Sequence, residues 1–198
     1  MESQEWDQRY AGAELVWTAE PNRFVVAELQ DLAPGRALDV AAGEGRNAVW
    51  LAARGWQVTA VDFSAAGLDK GRRLAEARGV AVGWVHADVR DYRPEVGSFQ
   101  LVLVAYLQLH EAELDGVLRR AVTALAPGGV LLVVGHDVTN LTEGVGGPQD
   151  PAVLYTPESV TRSLGGLTVL RAERVRRPVA TAGSRREAVD TLVRAIRD

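Results

Sequence analysis

Cysteine is absent from this 198-residue chain, which excludes disulfides, thiolate catalysis and any cysteine metal site. Acid–base or nucleophilic chemistry must come from other groups. Positive charge is also scarce, with 22 Lys and Arg against 26 Asp and Glu and a formal net charge of -4. Phosphate neutralisation needs concentrated positive charge, so this balance speaks against nucleic acid as a partner. The basic run "RAERVRRP" (171–178) alternates charge with apolar residues, as a strand with one solvated face does. No apolar run reaches membrane-spanning length and no basic start leads into an apolar leader, so a cytoplasmic protein with no membrane partner is expected. Repeats, low-complexity tracts and a composition-defined linker are missing too, and the length suits one domain over residues 1–198.

What is present is a regular alternation. Val25, Leu29 and Leu32 share one face of a helix over 21–32, which "APG" stops. Strands are then expected at "RALDVAA" (36–42), "QVTAVDF" (57–63), "AVGWVHAD" (81–88), "FQLVLVAY" (99–106) and "VLLVVG" (130–135). Helices at about 46–54, 64–78 and 114–125 separate them, and the third of these ends at "APGG". The nearly all-apolar fourth strand belongs in the sheet centre, covered on both faces. A further helix starts at Thr156-Pro157-Glu158, an N-cap, N1 proline and acidic first turn. "LTVLRAERV" (167–175) and "REAVDTLVRAI" (186–196) read as the last two strands. The second of them also carries a helical stripe of Ala188, Leu192 and Ile196. The order implies an open, mostly parallel α/β sheet with an antiparallel element at one side, and such sheets bind ligands at the carboxyl ends of their strands.

Three features fall at those ends. The loop "LDVAAGEGRN" (38–47) fits G-x-G-x-x-A from Gly43 through Gly45 to Ala48, bringing backbone N–H groups and a helix N-terminus to one point. That point suits a carboxylate-bearing or otherwise anionic ligand. Asp62 follows Gly43 by 19 positions, the interval of a carboxylate that accepts ribose hydroxyls, and Asp88 can accept from the exocyclic amine of adenine. Both could instead be turn or capping residues. Ser64 is a plausible N-cap for the following helix. Arg46 reads either as a partner for a ligand carboxylate or as a surface ion pair, and Asn47 as orienting the ligand or the loop.

The stretches "LDVAAGEG", "VDFS", "HADV", "FQLVLVAY" and "LAPGGVLLVV" together resemble the successive motifs of class I S-adenosylmethionine-dependent methyltransferases, over residues 37 to 135. "WDQRYAG" with "GEGRN" further resembles the small tellurite-resistance-like and thiopurine-type enzymes, in which an N-terminal segment folds over the cofactor. The resemblance implies a Rossmann-like seven-stranded sheet, mostly parallel with one antiparallel strand and helices on both faces. It also implies residues 1–20 as a lid. S-adenosylmethionine, leaving as S-adenosylhomocysteine, would be held by Ala41, Gly43, Gly45, Arg46 and Asn47 at its methionine end and by Asp62 and Ser64 at the ribose. Asp88 would take the adenine, flanked by Phe63 and Val89, while Ala105, Trp6 and Tyr10 complete the set. Ala41 and Ala42 stand where relatives often have glycine or a small polar residue, and their size should preserve the loop.

The methyl acceptor should meet Tyr106 and His110 after strand four, His136 and Asp137 after strand five, and Trp6, Tyr10 and Trp17 from the N-terminal segment. Each His could equally be structural, and the aromatics could be core. His86 reads as structural. The expected loop "PVATAGSRRE" (178–187) lacks the His of tellurite-type relatives, which argues against tellurite chemistry. Arg176, Arg177, Arg185 and Arg186 flank it as either solvated strand residues or attractors of an anion. The leading expectation is a methyltransferase for a small-molecule acceptor, without a metal, working as a monomer or homodimer. A cofactor-binding sensor without transfer activity and a nicotinamide-dependent oxidoreductase are the competing classes.

Overall fold

The computed structural model describes residues 3–12, 14–181 and 184–198. Its helices are α1 (Ser3–Tyr10), α2 (Arg23–Leu29), α3 (Arg46–Ala53), α4 (Ala65–Ala77), α5 (Glu111–Ala124), α6 (Asn140–Glu143) and α7 (Pro157–Arg162). The strands are β1 (Arg36–Val40), β2 (Gln57–Asp62), β3 (Gly83–His86), β4 (Phe99–Ala105), β5 (Leu125–His136), β6 (Thr168–Thr181) and β7 (Ser184–Ile196). They form a seven-stranded sheet in the order β3-β2-β1-β4-β5-β7-β6. β1 to β5 pair in parallel, and β7 runs antiparallel between β5 and β6. The expected architecture is therefore present, including the strand reading of the last segment.

β4 shows why an uninterrupted apolar run is needed in the centre. Leu101 and Leu103 face the core shared with α2 and α3, whereas Val102 and Val104 face the core shared with α5 and α7. All four are fully buried, and each such side chain contributes about 1.5–3 kcal/mol of burial. α4 lies beside α3 against β2 and β3.

Three boundaries differ from expectation. α2 is shorter than 21–32 because Asn22 caps it, its Oδ1 accepting the N–H of Phe24 and Val25; Val25 and Leu29 are buried and Leu32 only half-buried. "APGG" does not precede β5 but lies inside it: Leu125 already pairs with Phe99, and a register shift before Leu101 absorbs the turn. Most of the expected loop over 178–187 is strand, because β6 and β7 stay paired to Thr181 and Ser184. Pro178 misleads there; β6 is an edge strand, where a missing N–H is tolerated. Side chains at positions 180–185, Arg185 among them, lie outside the described ones. No helix among the described residues is long and apolar enough to cross a membrane.

Candidate functional site

The carboxyl ends of β1, β2 and β4 open into a cavity of about 370 Å³, within the range of small-molecule sites. Strand order reverses between β1 and β4, so the crevice lies where two crossovers leave in opposite directions. After β1 the chain turns sharply: Ala41 and Gly43 take φ of 59° and 55°. Ala42 N–H donates to the Val61 carbonyl, and Gly43 N–H donates to Asp62 Oδ2 at 2.8 Å. Ala41 thus holds the left-handed conformation that glycine adopts more easily. Tyr106, after β4, also has a positive φ, 58°, a conformation of the kind that accumulates at functional sites.

Of the residues expected at the cofactor, Trp6, Tyr10, Ala41, Gly43, Arg46, Asn47, Asp62, Phe63, Asp88, Val89 and Ala105 line the cavity. Two do not. Gly45 caps α3 at φ 73° and packs on the Trp84 ring, which a Cβ would meet at 2.4 Å, so its lack of a side chain serves helix packing. Ser64 caps α4 by accepting the Gly67 N–H and donates its hydroxyl proton to Asp7 Oδ1, fastening α1 to α4.

The carboxylates behave differently. Asp62 accepts from the N–H groups of Gly43 and Ser64, 2.8 Å each, yet burial outweighs these bonds and raises its pKa. Asp88 is gripped by the Arg90 side chain, Nε and Nη2 included, which holds its pKa below the ordinary value. Both oxygens of Asp88 are therefore already engaged. Beneath the loop Asp39 is completely buried, and desolvation, aided by the Asp62 charge, pushes its pKa up to about 7. Its Oδ2 has no hydrogen-bond partner among the described residues.

Asn47 Oδ1 accepts the Asn22 N–H at 2.9 Å, and Asn22 Nδ2 donates to the Tyr106 hydroxyl at 3.1 Å. The Arg46 side chain lines the cavity and makes no ion pair or hydrogen bond to another described residue. Burial lowers its pKa. A largely desolvated guanidinium without an anion is costly unless a ligand brings one.

Of the four acceptor candidates at the ends of β4 and β5, Tyr106 and His136 line the cavity, as do Trp6, Tyr10 and Trp17 from the N-terminal segment. The Tyr106 hydroxyl donates to Asp190 Oδ2 at 2.8 Å, and its ring lies 4.8 Å from that of His136. His110 is exposed at the start of α5 and does not reach the cavity. Asp137 is buried away from it, accepting from Thr139, Arg174 and Thr191. It ties β5 to β6 and β7, because a buried carboxylate is tolerated only with such a full set of donors. His86 bonds the Phe63 carbonyl at 2.9 Å. Of the arginines, Arg176 pairs with Glu143, while Arg177 turns inward and donates from Nε to Asp190 at 2.9 Å.

Glu44, Lys70, Asp190 and Asn22 carry no motif signal and were not anticipated. Glu44 and Lys70 form a buried pair at 3.0 Å, and Glu44 also accepts the N–H groups of Val16 and Trp17. Charged residues next to glycines or within an amphipathic helix read as solvated, and only the approach of residues 14–17 buries them.

Residues 37–129 match the family model of a methyltransferase domain. A demethylmenaquinone methyltransferase of Thermus thermophilus is 36% identical over 125 residues, 62% of this chain and 55% of the relative. A tRNA 5-carboxymethoxyuridine methyltransferase of Escherichia coli is 32% identical over 109 residues, 54% of this chain and 42% of the relative. The chain thus spans about half the length of these curated relatives. The solved structure of the N-methyltransferase NodS from Bradyrhizobium japonicum, in complex with S-adenosylhomocysteine, superposes with a TM-score of 0.70 at 20% identity, covering 98% of this chain and 97% of that one. Residues 37–129 are thus similar to a methyltransferase domain, and the sheet has the fold of the superposed NodS structure.

Proposed function

We propose that this protein transfers a methyl group from S-adenosylmethionine to a small-molecule acceptor. The observation that carries the reading is the single cavity in which the Gly43 loop, Asp62, Asp88 and the acceptor-side groups Tyr106, His136 and Arg177 all meet. A sensor needs only the first part of that lining; the polar wall beyond it supports a second ligand. Bound there, S-adenosylmethionine supplies a methyl group on an electrophilic sulfonium.

The residues present fit such a ligand. Arg46, without an ion pair among the described residues, would meet the methionine carboxylate, and the small side chains of Ala41 and Ala105 leave room at the strand ends. Asp62 retains lone pairs for ribose hydroxyls beyond its two backbone donors. Phe63 and Val89 would flank the adenine, and Asp88, braced by Arg90, would accept at its edge. Trp6, Tyr10 and Trp17 form the lid. Glu44 holds that lid down through Val16 and Trp17. Excluding water and aligning acceptor with methyl group are the main tasks of the chain, and alignment contributes about 7–11 kcal/mol in favourable intramolecular models.

Calorimetric titration with S-adenosylhomocysteine and with NAD, followed by methyl-labelled product formation across thiols, oxyanions, phenols and small acids, tests the proposal. Tight binding of the first and a labelled product are expected. Tighter binding of NAD overturns the cofactor assignment.

A further inference from the structure

The acceptor wall contains a buried dyad. His136, the last residue of β5, sits opposite Asp190 of β7 in the ladder, and its Nδ1 lies 3.3 Å from Asp190 Oδ1. Both atoms are buried, and neither has a hydrogen bond of good geometry to any described residue, the other included. Each is the nearest charged or polar partner open to the other, 3.3 Å away. The ring is clamped between Tyr106, 4.8 Å away, and the backbone of Gly147, where a Cβ would stand 3.0 Å from three ring atoms. With Nδ1 facing a carboxylate, Nε2 is the nitrogen that remains for a ligand of the cavity that His136 lines. A carboxylate at Nδ1 selects the tautomer with the proton on Nδ1 and the lone pair on Nε2.

Resting on the methyltransferase reading above, we propose that His136 is a general base positioned by Asp190, and that the acceptor is a neutral hydroxyl group of a phenol or similar alcohol. In the step, the hydroxyl oxygen bonds to the methyl carbon as the carbon–sulfur bond breaks, and that bond's electron pair stays on sulfur. The hydroxyl proton moves to His136 Nε2 and is later lost to water. An acidic thiol ionises without such a base. An ammonium acceptor is opposed by the cations facing the same cavity, Arg46 from α3 and Arg177 from β6, and by the sulfonium of the donor. The same guanidiniums favour negative charge developing on oxygen.

The charged and titratable groups around the imidazole explain why Asp190 can serve. Burial of Asp190 opposes its ionisation, but the facing His136 ring and the bonds from Arg177 and the Tyr106 hydroxyl outweigh that and lower its pKa. It stays an anion beneath the ring. Tyr106 itself is driven up by burial and by the Asp190 charge, so its hydroxyl remains a donor.

The test uses the full chain with H136Q and D190N, and S-adenosylhomocysteine titration confirms for each variant that the cofactor site is intact. Labelled transfer to a graded series of phenols, with matched thiols and amines, should favour the phenols. H136Q should lower kcat by about 100-fold or more and lose least with the most acidic phenols. Nitrogen-resolved NMR of the His136 ring provides a readout independent of turnover: the neutral ring should carry its proton on Nδ1, and D190N should shift the population toward Nε2–H. Undiminished phenol transfer by H136Q, a neutral Nε2–H ring in the parent protein, or binding of S-adenosylhomocysteine without methylation of any hydroxyl compound overturns the inference. Failure to bind S-adenosylhomocysteine at all instead overturns the methyltransferase reading.

Discussion

Glu44, in the middle of the glycine loop, pairs with Lys70 of α4 at 3.0 Å with both side chains 3% exposed. The same carboxylate accepts the N–H groups of Val16 and Trp17, 2.9 Å each, and the Lys70 ammonium also donates to the Glu14 carbonyl. One buried ion pair thus joins the glycine loop, the α4 helix and residues 14–17.

Removing half of that pair leaves a buried ammonium unneutralised. E44Q is expected to destabilise the protein by about 3–5 kcal/mol, the usual cost of breaking a buried pair, and to expose residues 14–17 to protease. Denaturant unfolding beside limited proteolysis checks both. The double variant E44Q/K70M should recover part of the stability but leave residues 14–17 loose, because Val16 and Trp17 still lack a charged acceptor.

Gly45 should not tolerate a methyl group. G45A forces an L-residue to φ 73° and drives a Cβ to within 2.4 Å of the Trp84 ring, so a loss of about 2 kcal/mol or more is expected. A thermal transition unchanged from the parent protein would mean that the ring and helix relax freely.

Asp39 predicts a pH dependence of stability. Its folded pKa is raised from 3.8 to about 7 by burial and the neighbouring Asp62. Its stabilising contribution is therefore fully present below 3.8, is lost as pH rises toward about 7, and is constant above that. D39N mimics the protonated form and should remove this component, gaining stability relative to the parent as pH rises through the window. Urea midpoints across that range measure it; parallel curves for the two proteins contradict the assignment.

D62N should weaken S-adenosylhomocysteine binding by about 1.5–3 kcal/mol, the scale of a hydrogen bond to a charged group. It should also cost some stability, because Gly43 and Ser64 lose a charged acceptor. Calorimetric affinity measured on protein that still unfolds cooperatively separates the two effects, and unchanged affinity removes Asp62 from the site.

Much of this architecture is visible in local pattern. Period-2 and continuous apolar runs mark the strands, and Ser64 and Thr156 announce their helices as N-caps. The spacing of Gly43, Asp62 and Asp88 brings three strand ends to one crevice, because in parallel βα units successive strands return to the same edge. Such features depend on near neighbours in the chain, so the chain alone determines them.

The tertiary structure decided the rest. His110 and His136 are equivalent in sequence, each close behind a strand, yet only His136 lies at the cavity, since the antiparallel register of β7 places Asp190 against it. Arg176 and Arg177 are adjacent, and the pleat of β6 directs one to Glu143 and the other to Asp190. Glu44 and Lys70 become a buried pair only when residues 14–17 cover them. Each of these roles is set by a partner far along the chain, 54 residues for His136 and Asp190 by their numbers; local propensity carries no record of a partner at that distance, and only packing brings the two together.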